Sequence, residues 1–184
     1  ECGNLTDVTI NGVVKTIGDN AFYGCSKLQN INFPEGLETI GANAFYSCRS
    51  LETVVLPDSL ESLNDGVFKY CTSLKSIRLP ANLKSVDAFE GCTSLSEITL
   101  PDSLTSIGNN AFCDCTALTS IKIPDHVKSL GNYAFKNCTG LQIMELPEGL
   151  TSIGSEAFSN CTNLETVDLP DSLTSIGNST FMNC

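Results

Sequence analysis

One interval governs the chain. Phenylalanine recurs at Phe22, Phe45, Phe68, Phe89, Phe112, Phe135, Phe158 and Phe181, in steps of 23 residues broken once by a step of 21. Every proline keeps the same beat, from Pro34 to Pro170, and so do nine of the ten cysteines, from Cys2 to Cys184. Three residue types in register mean stacked copies of one supersecondary unit. A period of roughly 20–50 residues is the signature of a solenoid. The span Cys2 to Cys184 holds eight periods of 23 less two residues, which predicts a single domain over residues 1–184 of about eight coils. One coil, around 80–100, has 21 residues. Both ends fall at the same phase without a polar capping coil. That reads as a piece of a longer array whose end coils pair end to end with other molecules.

Each part of the repeat has its own physical reason. In Leu118-Thr119-Ser120-Ile121-Lys122-Ile123 the apolar residues alternate with polar ones, the pattern of a short strand with Ile121 and Ile123 inward and Lys122 outward. Pro124 lacks an N–H, ends the ladder and starts a turn. A second extended piece follows, as in Leu104-Thr105-Ser106-Ile107, and then a near-invariant glycine: Gly18, Gly41, Gly108, Gly131, Gly154, Gly177, with Asn64 as the exception. Glycine and asparagine both tolerate positive φ, so this corner is expected to turn left-handed. Capping-type residues come next (Asp19, Asp65, Asn109, Asn132, Ser155, Asn178). Ala111, Phe112 and Cys115 then stand at i, i+1 and i+4, the spacing of one helical or 3₁₀ turn with Phe and Cys inward. The short coil, Leu83 to Cys92, lacks two residues at the glycine corner. Its loss is expected to tighten that corner and leave the sheet intact.

The formal net charge of −11 disfavours nucleic acid and anionic membrane surfaces. No apolar run approaches the roughly 20 residues that span a bilayer, so direct membrane insertion is not expected, and no signal peptide opens the chain. One histidine, His126, leaves no serine-hydrolase set, and no catalytic residue, cofactor site or metal site is assigned.

The cysteines invite a metal or redox reading, most of all Cys113-Asp114-Cys115. The register argues otherwise. A column spreads thiols along a line, whereas zinc needs about four ligands at one point. The nine are read as buried, reduced, small hydrophobes. Cys113 stands off the column, where other coils carry Tyr23, Tyr46, Lys69, Glu90, Lys136, Ser159 and Met182, and is expected to be exposed and reactive. The acids after proline (Glu35, Asp58, Asp102, Asp125, Glu148, Asp171) suit turns better than calcium. The hydroxyl column Thr16, Thr39, Ser62, Ser85, Ser106, Ser129, Ser152, Ser175 suits a hydrogen-bonded ladder. The glycosylation triplets at Asn4, Asn137, Asn160 and Asn178 arise mostly from the repeat itself.

Outward strand residues of a solenoid form a continuous surface, and here two columns vary freely where the inward ones do not. The candidate protein-binding residues are Asn30, Asn32, Thr53, Val55, Lys75, Arg78, Glu97, Thr99, Lys122, Ile143, Glu145 and Asp168. Cations gather at Lys75, Arg78 and Lys122, and anions at Glu145, Glu165 and Asp168. Neither column carries an aromatic ring, which lowers a sugar-stacking reading.

The motif Leu-x-x-Ile-x-Leu-Pro, then Leu-x-x-Ile-Gly, then Ala-Phe-x-x-Cys resembles the 23-residue leucine-rich repeat of the BspA-like bacterial surface proteins, over Cys2 to Cys184. Asn11 in place of proline and the short coil depart from it. The resemblance implies an α/β, β-rich solenoid: a right-handed coil with a parallel concave sheet and short helical or 3₁₀ turns opposite. It also implies an extracellular or cell-surface location and adhesion to host extracellular-matrix proteins such as fibronectin and fibrinogen, or to cell-surface proteins. It brings no catalytic residue. The function expected is a non-enzymatic protein-interaction or adhesion module. A structural spacer and an ancillary glycan-binding module stand beside it.

Overall fold

The computed structural model describes residues 2–184. It is a parallel β-solenoid of about seven turns. Most turns bring a strand of two or three residues to a first face and one of two residues to a second; Glu97–Thr99 on the first face and Ser62–Leu63 on the second form none. The first face holds β1 (Asp7–Thr9), β3 (Asn30–Asn32), β5 (Thr53–Val55), β6 (Ser76–Arg78), β9 (Ser120–Lys122), β11 (Ile143–Glu145) and β13 (Thr166–Val167). The second holds β2 (Thr16–Ile17), β4 (Thr39–Ile40), β7 (Ser85–Val86), β8 (Ser106–Ile107), β10 (Ser129–Leu130), β12 (Ser152–Ile153) and β14 (Ser175–Ile176). Ladder partners such as Asp7↔Asn30 and Ser129↔Ser152 stand one period apart, as the sequence requires. Ile121 and Ile123 are buried on either side of exposed Lys122.

The core is a set of columns. The eight phenylalanines of the period stack ring on ring, with centroids from 5.1 Å (Phe22–Phe45) to 5.9 Å (Phe68–Phe89). The cysteine column runs beside them. Each thiol from Cys48 to Cys184 donates to the carbonyl of a phenylalanine one coil back, as Cys71 Sγ does to Phe45 O at 3.2 Å and Cys138 Sγ to Phe112 O at 3.1 Å. That explains the residue type: a small apolar side chain with one weak donor. Burial pushes the Cys48 and Cys161 thiols up to about 12 and raises those of Cys71, Cys92, Cys115 and Cys138. All ten cysteines are free thiols.

Four expectations fail here. The described residues contain no helix. Ala111, Phe112 and Cys115 do face inward, but Asn110 (φ 54°) and Asp114 (φ 60°) are left-handed, and a right-handed helix cannot pass two such residues. Alternate N–H groups of this segment leave the coil instead: Phe112 N–H donates to Ala134 O at 2.8 Å and Asp114 N–H to Lys136 O at 2.8 Å. The capping-type residues likewise serve the next coil. Asp19 Oδ1 accepts from Ala42 N–H, and Asn109 Oδ1 from Asn132 N–H, both at 2.8 Å.

The glycine corner is not left-handed either; positive φ among glycines occurs only at Gly12, Gly24, Gly66 and Gly91. The column is glycine because coils touch there. A Cβ on Gly131 would lie 2.5 Å from the carbonyl carbon of Gly108, and one on Gly154 would lie 2.5 Å from the same atom of Gly131. The glycine N–H groups bond the coil before, as Gly131 N–H does to Ile107 O at 2.8 Å. At the exception, the Asn64 side-chain amide donates to Ile40 O at 2.7 Å in the glycine's stead.

The short coil does not leave the sheets intact. Its second-face pairing (Ser85↔Ser106) and its turn bonds (Phe89 N–H to Ala111 O, Gly91 N–H to Cys113 O) keep register. The ladders break on either side of it: on the first face Glu97–Thr99 joins no ladder and Ile98 is only partly buried, and on the second face Ser62–Leu63 forms no strand between β4 and β7. At the shortened corner Asp87 keeps a buried, unpartnered Oδ1, and burial and the nearby Asp65 push its carboxyl up.

Cys113 is buried at 7 % exposure, and its thiol is pushed up to about 12, by burial first and then by the charge of Asp114. Its column neighbours Glu90 and Lys136 are long side chains, tied into ion pairs with Lys69 (2.6 Å) and Glu156 (2.7 Å). Ser159, at the same position of a later coil, is fully buried too. The expected outcome with a maleimide on the folded protein is fast labelling of Cys2 and Cys184, both exposed, and slow labelling of Cys113 with the rest. Peptide mapping checks it; fast modification of Cys113 would contradict the packing.

Candidate protein-interaction face

On the first face, strand alternation puts one residue in and its two neighbours out. Asn30 and Asn32 flank buried Ile31, Thr53 and Val55 flank buried Val54, and Ile143 and Glu145 flank buried Met144. Period-true stacking then sets the outward residues in rows about 4.8 Å apart. The scaffold under them is the phenylalanine and leucine core, so the rows are held by buried neighbours rather than by loops.

The face is not one continuous sheet. Its ladders are β1–β3, β5–β6 and β9–β11–β13. One opening lies between β3 and β5, with no insertion or deletion beside it, and the other lies at Glu97–Thr99. Depressions sit at these openings. One of about 390 Å³ is lined by Asn30, Asn32, Glu35, Thr53, Val55 and Arg78 among others. A second, of about 480 Å³, reaches from Thr53 and Val55 across Ser76 and Arg78 to Thr99. A third, of about 420 Å³, lies over Gln29, Asn30, Glu52 and Thr53. Thr53 lines all three. Val55 is 63 % exposed and Ile143 59 %, large apolar side chains facing water on a polar face.

Of the sequence candidates, Asn30, Asn32, Thr53, Val55, Arg78 and Thr99 are thus brought together. Lys75, Lys122, Ile143, Glu145 and Asp168 are exposed on the same face outside these depressions, and Glu97 lies in the unladdered segment. The cationic patch expected at Lys75, Arg78 and Lys122 is largely neutralised. Lys75 Nζ pairs with Glu52 at 2.8 Å. The Arg78 guanidinium donates to both carboxylate oxygens of Asp58, at 2.8 and 3.0 Å, and to Leu56 O at 3.0 Å. That hydrogen bonding, with a further one from Ala81 N–H, lowers the Asp58 carboxyl below its usual range. Asn30 in turn donates to Asp7 at 2.7 Å and lowers that carboxyl.

Reading by columns missed Glu35, Asp58 and Glu52. The first two stand in the post-proline column, and the Arg78–Asp58 pair spans 20 residues, a diagonal that strict 23-residue bookkeeping does not connect. The hydroxyl ladder exists but lies in neighbouring columns. Thr151 and Thr174 donate to Lys128 O and Thr151 O, and Ser59 and Ser172 to Leu37 O and Leu150 O, whereas Ser85 to Ser175 contribute through their backbones.

The family model for the BspA type leucine-rich repeat region matches residues 1–88 and 85–184, in six copies. The chain belongs to this BspA-type family. Its two matched blocks meet at the short coil, where the first face opens. The family fold is generally one of protein interaction, not of catalysis. Among solved structures the chain is similar to the leucine-rich repeat protein of T. pallidum, at 30% identity and a TM-score of 0.67, covering 98% of this chain and 77% of that one. It is similar to a leucine-rich repeat protein from Bacteroides ovatus at 28% identity and a TM-score of 0.56, covering 100% and 77%. The pneumococcal vaccine antigen PcpA shares the fold alone, at 20% identity and a TM-score of 0.58 over 96% of this chain and 59% of that one. No curated protein sequence matches the chain.

Proposed function

We propose that the chain is a non-enzymatic, extracellular interaction module of a bacterial surface protein, and that its first face docks a host extracellular-matrix or cell-surface protein. The observation that carries the reading is the set of contiguous depressions meeting at Thr53, on a face whose outward residues differ from coil to coil over an unvarying core. A face held by stacked rings loses little conformational freedom when a partner docks. Exposed Val55 supplies the kind of apolar contact that interface centres use.

The test is surface plasmon resonance against fibronectin, fibrinogen and solubilised host-surface proteins, comparing the chain with Thr53→Trp. This change fills the shared floor without altering charge. Binding is expected to weaken by about tenfold or more. Unchanged binding removes this face from the function, and absence of binding to every partner leaves the spacer reading in its place.

A further inference from the structure

The charge of the first face selects the partner's chemistry. Its two cations in the N-terminal half, Lys75 and Arg78, each already hold a carboxylate at 2.8 Å. Toward the C-terminal end Glu97, Glu145, Glu165 and Asp168 are exposed, and among the described residues none of them makes an ion pair; Lys122, the one cation on that stretch, is the ladder partner of Glu145 but stands outside ion-pair distance of it, leaving the stretch net negative. Ile143, 59 % exposed, stands two residues before Glu145 on the same strand and so on the same side of the sheet. Asp168 follows Glu145 one period later.

An exposed aliphatic side chain flanked by unpaired carboxylates is the complement of lysine or arginine, whose long apolar stem ends in a cationic head. The whole chain carries −11, so a cationic partner is also drawn in from a distance and a polyanion is held off. We propose that the first face takes an extended polypeptide segment bearing lysine or arginine side chains, their stems over Ile143 and their heads on Glu145 and Asp168. This rests on the reading of the face as a docking surface. The N-terminal depressions hold the segment's uncharged part, since the amides and hydroxyls of Asn30, Asn32 and Thr53 line them and Arg78 is occupied by Asp58.

The probe is a fluorescein-labelled dodecapeptide alternating lysine and valine, with its glutamate-for-lysine counterpart, titrated by fluorescence anisotropy at physiological salt. Three proteins are compared: the chain, Glu145→Lys/Asp168→Lys on the face, and Glu61→Lys/Asp65→Lys away from it. The two double variants change net charge equally. The lysine peptide is expected to bind and the glutamate peptide not. The face variant should lose about tenfold in affinity and the other variant under about twofold. Equal losses in both variants, preference for the glutamate peptide, or no binding of either peptide would overturn the assignment. Because Thr53→Trp changes shape and not charge, its effect on protein partners survives if only the cationic assignment fails and vanishes if the docking face itself is wrong.

Discussion

Phe112→Ala is expected to destabilise the protein by about 3–5 kcal/mol, the range for removing a fully buried aromatic ring. Phe112 is 0% exposed and lies between Phe89 (5.6 Å between centroids) and Phe135 (5.3 Å), with the rings at 22° and 8° to it. The neighbouring coils cannot close the void, because the ladder bonds and the bonds from Phe112 N–H to Ala134 O and from Phe89 N–H to Ala111 O fix the coil spacing. Without collapse, the cavity term adds to the lost transfer energy. In a solenoid each coil touches only its neighbours, so the damage should be local before it is global. Urea denaturation gives the size of the loss. Amide exchange gives its place, with protection falling first in the coils of Phe89, Phe112 and Phe135. A loss under about 1 kcal/mol would mean that the ring column is not the main support of the stack.

That column was the most legible feature of the sequence. Phenylalanine and cysteine recur in every coil and proline in all but the first, where Asn11 stands in its place, because a position that meets its own copy above and below tolerates one size and shape. The left-handed turns were legible in principle. Asn20, Asn43, Gly66 and Asn110 mark one such column, and Gly24, Gly91, Asp114, Asn137 and Asn160 the other. The signal was blurred because Tyr133 and Glu156 take the same conformation, and because the spacing of Ala111, Phe112 and Cys115 suits a helical turn equally well. Burial of Cys113 could not be read from its column, since it depends on where Glu90 and Lys136 lay their long side chains. The face was legible as rows of outward residues. Its openings and its internal neutralisation were not, because they follow from diagonal contacts such as Arg78–Asp58 and from strand pairings that do not form between β3 and β5 and at Glu97–Thr99.

The glycine column gives the second large effect, and its sign depends on the coil. At Gly131 the φ is not positive, so backbone preference alone would let alanine stabilise by about 0.4–1 kcal/mol through the unfolded chain. Packing decides against it. A Cβ there would meet the Gly108 carbonyl carbon at 2.5 Å and the Asn109 nitrogen and Gly108 oxygen at 2.6 Å. All three are backbone atoms, so no side chain can rotate away, and the coils must move apart against the Gly131 N–H to Ile107 O bond of 2.8 Å. Gly131→Ala is expected to cost about 2–3 kcal/mol, as overpacking does where relief requires backbone movement. Gly18 occupies the same column, but nothing lies within 4 Å of the Cβ it would gain. Gly18→Ala should therefore be neutral or stabilising by up to about 1 kcal/mol. The two substitutions, measured by thermal unfolding under one set of conditions, separate close approach from conformational freedom as the reason for the glycine. Equal destabilisation at both sites would return the column to backbone conformation, and a harmless Gly131→Ala would mean that the coils are not in backbone contact at this corner.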